Sequence, residues 1–156
     1  MVEFRTDTAH QFIGTELYVS DWLTIDQKMV TSFATTTLDP DWMHVDVARS
    51  KEESPYGGTI VQGFLMLSLV IYFGHMGGAQ PKDTAYALNY GLDKVRFLAP
   101  VRTGSRVRNH VVLTGFHERA PDRYLQKTTN TLEVEGLDKP GMVADWLVLW
   151  FRELTS

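Results

Sequence analysis

One apolar segment limits the folds open to this chain more than any other feature. Residues 60–73 read IVQGFLMLSLVIYF, and only Gln62 and Ser68 among them are polar. A helix of this composition offers no face to water, so we expect it to be buried on all sides. The segment, which Gly74 closes, has 14 residues, whereas a membrane span needs roughly 20. The segment therefore predicts the buried central helix of a globular protein.

The composition of the chain narrows the classes of function. Its 156 residues suit one domain, and we expect a single domain over residues 1–156. Lys and Arg number 15 against 19 Asp and Glu, which gives a net charge of −4 with no basic block. This balance argues against nucleic acid or a membrane surface as partner, and favours a small molecule.

Cysteine, histidine and the N-terminus add further limits. The chain has no cysteine, which excludes disulfides, a thiol nucleophile and a cysteine-ligated zinc. Its five histidines form no HExxH or HxH spacing, so we expect no metal site, and no cofactor is predicted. The first ten residues, MVEFRTDTAH, lack the charged-then-apolar pattern of a signal peptide, which predicts a cytoplasmic protein.

Two shorter helices are predicted before the central one. Thr24 and Gln27 have the spacing of a capping box, and the apolar residues that follow share one helical face. We therefore expect a helix over residues 26–36. Asp39, which precedes a proline, ends it, since such a residue is pushed out of the α region. Asp46 then caps a further short helix before the SPYGG turn.

The second half of the chain has the patterns of β-strands. The predicted strands span residues 19–25, 86–98, 106–117, 124–134 and 142–154. Gly91 leaves open whether residues 86–98 form one strand or two. The last three strands follow one another through tight turns, which implies an antiparallel meander.

These elements define the expected fold class. One buried apolar helix followed by antiparallel strands is typical of an α+β fold in which the antiparallel sheet wraps around a central buried helix, the hotdog fold. A single copy leaves the edges of such a sheet open, and pairing of two copies edge to edge would cover them. We therefore expect a homodimer.

An acid and an imidazole stand five residues apart ahead of the central helix, at Asp39 and His44. A carboxylate and an imidazole that hold one water can serve as general acid and base. Free N–H groups at a helix start favour an anion, and Gly63, which has no Cβ, would let a ligand approach them closely. On the residues alone, a helix end for Asp39 and an ordinary loop position for His44 still explain them better.

The residues around this pair resemble a known family. The run DPDWMHVD over residues 39–46 and the run YGGTIVQGFLMLSL over residues 56–69 are similar to the MaoC-like dehydratases, the (R)-specific enoyl-CoA hydratases, and in particular to their NodN-like branch. The resemblance extends from about Asp21 to Arg108. It implies a hotdog homodimer with its active sites at the dimer interface. It also implies a lyase that adds water to a trans-2-enoyl thioester, expected to carry coenzyme A, or removes water from a 3-hydroxyacyl thioester.

The resemblance further implies roles for single residues. The catalytic aspartate and histidine of the family fall on Asp39 and His44, and its oxyanion-binding N–H falls on Gly63. We expect Trp42 in an acyl pocket and Gln62 near the substrate, although a solvated helix end explains Gln62 about as well. Three positions depart from the residues usual in the family, and these are Leu38 for a glycine, Asp41 for an asparagine and Gln62 for a histidine.

These departures leave two other functions open. One is a specialised lyase of the same fold that acts on a different pathway intermediate. The other is a non-catalytic hotdog subunit that binds acyl thioesters, although an intact Asp39 and His44 count against it. A hotdog thioesterase is disfavoured, because the acid and the base here precede the central helix.

Overall fold

The computed structural model describes residues 2–152, which form four α-helices and a six-stranded antiparallel sheet. The helices are α1 (Gln27–Thr37), α2 (Trp42–Val45), α3 (Val47–Glu53) and α4 (Gly63–Met76), and a 3₁₀ turn spans Ala9–Phe12. The strands are β1 (Glu16–Val19), β2 (Leu23–Thr24), β3 (Thr84–Phe97), β4 (Arg106–Ala120), β5 (Arg123–Val134) and β6 (Met142–Arg152). The strand order is β1-β4-β5-β6-β3, with β2 also on β4, so the predicted meander of the last three strands is confirmed.

Helix α4 packs against the sheet and forms the centre of the core. Its buried residues are Leu65, Met66, Leu69, Val70 and Phe73. They belong to one cluster with side chains from three strands, which are Val107, Leu132, Val134, Met142 and Ala144. Each large side chain buried in this way contributes roughly 1.5–3 kcal/mol. The α+β hotdog arrangement is confirmed.

The bounds and the burial of α4 differ from the sequence prediction. The helix begins at Gly63 because residues 60–62 are extended, and Ile60 forms a β-bridge with Arg102. Gly74 does not close the helix, which continues to Met76. The expectation of burial on all sides of residues 60–73 is wrong for a single chain, since Phe64 is 69% exposed and Tyr72 is 44% exposed. The side chains of α4 away from the core therefore form an open apolar face.

Helix α1 has the predicted position but a different N-cap. The carboxylate of Asp26 accepts a hydrogen bond from Met29 N (2.9 Å), whereas Thr24 lies in β2. The capping-box interpretation is therefore wrong. Asp46 is confirmed as the cap of α3, because its Oδ1 accepts from Arg49 N (3.0 Å).

The strand predictions need three adjustments. Two short strands, β1 and β2, replace the single strand expected over residues 19–25. β3 is one strand through Gly91, with an irregular register between Asn89 and Gly91. β6 is described as far as Arg152, so the last two residues predicted for it lie outside the described residues. Within residues 2–152, no helix has both the length and the apolar character needed to cross a membrane.

Candidate active site

The loop that carries the predicted acid begins with a strained residue. Leu38 has left-handed dihedral angles (φ 58°, ψ 36°), and its N–H and that of Asp39 both donate to the carbonyl of Ala34. This closes α1 and turns the chain, so Asp39 is the first residue beyond the helix end. The Asp39 side chain is half-buried, and its Oδ1 accepts a long bond of 3.4 Å from Asp41 N. Asp41 in turn caps α2, accepting from Met43 N (2.8 Å).

The imidazole of His44 is fixed by the segment that leads into α4. Its Nδ1 lies 2.7 Å from the carbonyl oxygen of Ile60. A carbonyl oxygen can only accept, so Nδ1 carries the proton and Nε2 is the basic nitrogen of the neutral ring. The ring is half-buried. The contact therefore selects the tautomer and orientation that a general base needs.

Gln27 joins the three segments around this histidine. Its Nε2 donates to the backbone carbonyl of His44 (2.8 Å), and its Oε1 accepts from Thr59 Oγ1 (2.7 Å). A backbone bond from Ile60 N to Met43 O (3.0 Å) adds to this connection. Helix α1, the His44 turn and the approach to α4 are thus bound to one another.

A cavity of about 280 Å³ lies at the start of α4. Its lining consists of His44, Ile60, Val61, Gly63, Met66 and residues 97–101. A Cβ at Gly63 would lie 3.0 Å from three atoms of the Phe97 ring. The absence of a side chain therefore lets Phe97 lie directly against the first turn of the helix.

The first turn of α4 is not capped by a side chain. Its N-cap residue, Gln62, makes no capping bond, and its Nε2 donates instead to the carbonyl of Val30 in α1 (3.0 Å). The N–H groups of the first turn and the helix dipole are therefore available to a carbonyl oxygen or an anion. Gln62 is only 4% exposed, so the alternative of a solvated side chain is wrong. Its Oε1 is buried without a partner within residues 2–152.

The structure brings together some of the predicted site residues. His44 and Gly63 line one cavity, whereas Asp39 and Trp42 are outside its lining, and Gln62 lies behind it. Within residues 2–152, no side-chain hydrogen bond joins Asp39 to His44. The Trp42 ring is covered by the guanidinium of Arg49, 4.2 Å from the ring centroid.

Three contributors were missed from the sequence, and these are Gln27, Thr59 and Phe97. The capping-box spacing of Gln27 does not reveal its actual partners, which are 17 and 32 residues away. Phe97 reaches Gly63 only because β3 and α4 pack together. The local pattern around each residue contains no signal for these contacts.

Comparison with known proteins defines the class of the chain. A model of the MaoC like domain matches residues 8–135, and the chain therefore belongs to the MaoC-like family. Nodulation protein N of Rhizobium meliloti (strain 1021) is 38% identical over 149 residues, which cover 96% of this chain and 92% of that protein. The 3-hydroxyacyl-thioester dehydratase Z of Mycobacterium tuberculosis (strain ATCC 25618 / H37Rv) is 42% identical over 135 residues, covering 86% and 88%. The resemblance drawn from the sequence is confirmed.

Solved structures agree on the fold. The MaoC-like dehydratase from Rhodospirillum rubrum superposes with a TM-score of 0.73 at 16% identity, covering 91% of this chain and 94% of that one. The (R)-hydratase from A. caviae involved in PHA biosynthesis superposes with a TM-score of 0.70 at 22% identity, covering 87% and 94%.

Proposed function

We propose that this protein is a hydro-lyase that interconverts trans-2-enoyl thioesters and (R)-3-hydroxyacyl thioesters, with coenzyme A as the expected carrier. The observation that carries the proposal is the His44 ring, whose Nδ1 is bound to the Ile60 carbonyl and which shares a cavity with the uncapped start of α4. The 42% identity to a protein named 3-hydroxyacyl-thioester dehydratase Z supports it.

In the hydration direction, the proposed reaction adds water across the double bond. Asp39 orients and activates the water, and His44 shares the proton transfer as the oxygen of that water bonds to C3. The electrons of the double bond move onto the thioester oxygen as an enolate, and a proton then reaches C2. General acid and base groups contribute about 10²- to 10⁴-fold each.

The first turn of α4 would hold the enolate oxygen. The N–H of Gly63 and the helix dipole favour negative charge there, and loss of one oxyanion donor typically raises a barrier by about 3–4 kcal/mol. Because Phe97 lies against Gly63 in the structure, its ring has to yield space to the thioester. Phe97 is 44% exposed, and this leaves it room to move.

We propose that a second copy of the chain completes the site. β3 is 14 residues long and ends the strand order, so its outer edge is open among the described residues. Beside it lies the open face of α4. The exposed apolar side chains of both elements are Phe64, Ile71, Tyr72, Met76, Tyr86, Leu88, Tyr90, Leu92 and Phe97. Pairing of two β3 edges would cover these groups.

The oligomeric state tests the dimer. We expect analytical ultracentrifugation to give a dimer, and Leu88→Lys to shift it towards monomer because Leu88 is 55% exposed and its substitution costs little in one chain. Leu137→Lys is the matched control, since Leu137 is 47% exposed in the turn between β5 and β6. A monomeric wild-type chain that still turns over substrate would contradict the proposal.

The reaction is tested with paired variants of the two acid–base residues. Asp39→Asn and His44→Asn are expected to lower kcat for a medium-chain trans-2-enoyl-CoA by at least about 10²-fold each. Asn at position 44 can still donate to the Ile60 carbonyl, so the loss would report the missing base. Asp41→Asn is the control, because it makes the same change two residues from Asp39 and asparagine also caps helices.

The outcomes separate the candidate functions. Full activity of either the Asp39 or the His44 variant would refute the assignment. Turnover of a different thioester without enoyl-CoA hydration would identify a specialised lyase. Thioester binding without any turnover would identify a non-catalytic subunit.

A further inference from the structure

The sheet is polar where it lies beneath the second half of α4. Four inward-facing residues of β4 and β5 are polar yet at most 2% exposed, and these are Asn109, Gln126, Thr128 and Asn130. Nδ2 of Asn109 donates to Oδ1 of Asn130 (2.9 Å), and Nδ2 of Asn130 donates to Oγ1 of Thr128 (3.0 Å). Burial of a polar group costs free energy unless the group is hydrogen-bonded. A sheet face that only had to pack against a helix would be apolar.

A cavity of about 290 Å³ borders three of these side chains, Gln126, Thr128 and Asn130. It lies between the second half of α4 and residues of β1, β3, β4, β5 and β6, and Gly74 forms part of its wall. A Cβ at Gly74 would come within 3.1 Å of the Trp146 ring. The polar groups of the lining include Gln126, Thr128, Asn130, Trp150, Asn89 and His75. Among the described residues, no Asp, Glu, Lys or Arg lines this cavity.

Two residues of this lining each have a buried side-chain atom without a hydrogen-bond partner within residues 2–152. The two atoms are Oε1 of Gln126 and the indole Nε1 of Trp150. The Gln126 side chain is held in place, because its Nε2 donates to the carbonyl of Ala79 (3.0 Å). One atom is an acceptor and the other a donor, and leaving each without a partner costs about 1–3 kcal/mol. A hydroxyl group can accept from an indole N–H and donate to an amide oxygen, whereas a carbonyl oxygen can only accept from the indole.

A groove adjoins this cavity along α4, and it shares no lining residue with the cavity at Gly63. A second cavity, also about 290 Å³, shares Ile71, Asn89 and Trp146 with the polar one. It is lined mainly by apolar groups, among them Leu67, Val70, Tyr90 and Leu92.

Both cavities follow one face of α4. Gly63, Leu67, Val70 and Gly74 lie on this face, because they are spaced by four, seven and eleven residues. Gly63 and Gly74 are separated by roughly 16 Å along the helix axis at 1.5 Å per residue. An acyl chain whose thioester lies at Gly63 would therefore pass an apolar stretch before it reaches the polar cavity.

We propose that the preferred substrate is an acyl thioester whose far end carries a neutral oxygen group, a hydroxyl or a carbonyl. Its hydrocarbon stem lies in the apolar groove, and its terminal oxygen accepts from Trp150 Nε1 and, as a hydroxyl, donates to Gln126 Oε1. A charged end group is disfavoured because no fixed countercharge lines the cavity. This inference rests on the proposed reaction and names the substrate class of that site.

The test compares matched trans-2-enoyl-CoA pairs whose acyl chain is long enough to span the roughly 16 Å from Gly63 to Gly74, one ending in a methyl group and the other in a hydroxyl group. We expect kcat/KM to be about tenfold higher for the hydroxylated chain. Trp150→Phe removes an N–H that has no partner within residues 2–152, and should bring the ratio close to one. Trp22→Phe is the control, since Trp22 lies against Arg108 outside both cavities and its loss should leave the ratio unchanged.

A binding measurement that does not depend on turnover separates this inference from the reaction. The chain has only four tryptophans, so the indole N–H signals can be followed by NMR and that of Trp150 assigned from Trp150→Phe. A saturated acyl-CoA with a terminal hydroxyl should shift the Trp150 signal, and its methyl-ended counterpart should not. Equal turnover of both enoyl chains without this shift would overturn the inference and leave the reaction in place. The shift without any turnover would support the cavity assignment and overturn the hydro-lyase proposal. If the hydroxylated chain gives neither a shift of the Trp150 signal nor a higher kcat/KM, the cavity holds only water. This outcome also overturns the inference.

Discussion

The two ends of α4 lie over parts of the sheet with opposite character, although the same strand supplies both. The inward-facing residues of β5 are, in order, Gln126, Thr128, Asn130, Leu132 and Val134. The last two pack beneath the half of α4 that begins at Gly63, and the first three line the polar cavity beneath the other half. The change from polar to apolar occurs within one step of the strand's two-residue repeat.

The two halves differ in what they contribute, since the apolar half stabilises the fold and the polar half is suited to bind a ligand. The apolar half gains free energy from every buried side chain, and it holds the loop that bears His44 in place. The polar half gains little, because each of its hydrogen bonds replaces one to water and contributes only about 0.5–1.5 kcal/mol. This stretch of β5 adds little to stability and leaves Oε1 of Gln126 without a partner within residues 2–152, as the proposed ligand site requires.

Exchanging the two residue types across the boundary on β5 tests the difference between the two halves. Leu132→Asn should destabilise the protein by about 3–5 kcal/mol, because it removes a fully buried apolar side chain and buries an amide in an apolar cluster. Asn130→Leu should cost less, about 1–3 kcal/mol, because it leaves the Asn109 amide without its partner. Urea unfolding of each variant measures both values.

A double variant provides the control for the polar side of this exchange. Asn109→Leu combined with Asn130→Leu removes both amides, so the chain should be more stable than with Asn130→Leu alone. If the free-energy costs of the two single substitutions simply add in the double variant, the amide pair is not a coupled unit. Equal costs for Leu132→Asn and Asn130→Leu would remove the distinction between the two halves.

A smaller effect is expected at the loop before the apolar half. Leu38 is 86% exposed and has a left-handed conformation, which costs an L-residue about 1–2 kcal/mol. Leu38→Gly relieves that strain and loses no packing, but it also increases the freedom of the unfolded chain. We expect a net gain in the free energy of unfolding of about 0.5–1 kcal/mol, measured by urea unfolding.

Thr37→Gly is the matched control for Leu38→Gly, because Thr37 is the last helical residue of α1. Glycine there should destabilise by up to about 1 kcal/mol. If Leu38→Gly were equally destabilising, contacts of the Leu38 side chain would stabilise its left-handed conformation. The active-site loop would then not be strained at this residue.

The sequence predicted those features that repeat along the chain. The apolar run of 14 residues predicts the core helix, of which one side is buried and the other is exposed in a single chain. The alternation on β4 places Val107, Val111 and Leu113 on the inner face, as observed. The polar cavity was not predictable, because β5 reads RYLQKTTNTLEV and is polar on both faces up to Asn130. Periodicity distinguishes the two faces only where one of them is apolar.

The candidate site was predictable in part. The motif resemblance placed His44 and Gly63, which the structure brings to one cavity. Whether Asp39 faces the same water remains a prediction, because its carboxylate lies outside that cavity in one chain. Contacts such as Gln27 to His44 depend on how distant segments pack, and no local pattern encodes them.

The smallest expected effect is the pH dependence of stability, which should come from the charged outer face of the sheet and not from its polar inner face. The inner amides do not titrate, so the pH dependence of stability should come from groups such as His110. Its ring lies between Glu16 (2.9 Å) and Glu133 (2.6 Å) on the outer face, and Arg108 also binds Glu133 (2.6 Å). Burial lowers the pKa of His110, but its hydrogen bonds to the two carboxylates outweigh this and raise the pKa above 6.5.

The sign of the pH effect follows from that raised pKa. A group that binds its proton more tightly when folded contributes stability below its unfolded pKa and loses it as the pH rises through the folded pKa. The hydrogen bonds of Arg108 and His110 lower the pKa of Glu133 below 4.5, so its contribution is lost only as the pH falls through that folded value. The cluster should therefore stabilise most between about pH 4.5 and 6.5. Unfolding free energies at pH 6 and pH 8.5 should show a larger fall for the wild type than for His110→Gln. An equal fall would mean that a titratable group other than His110 carries the pH dependence.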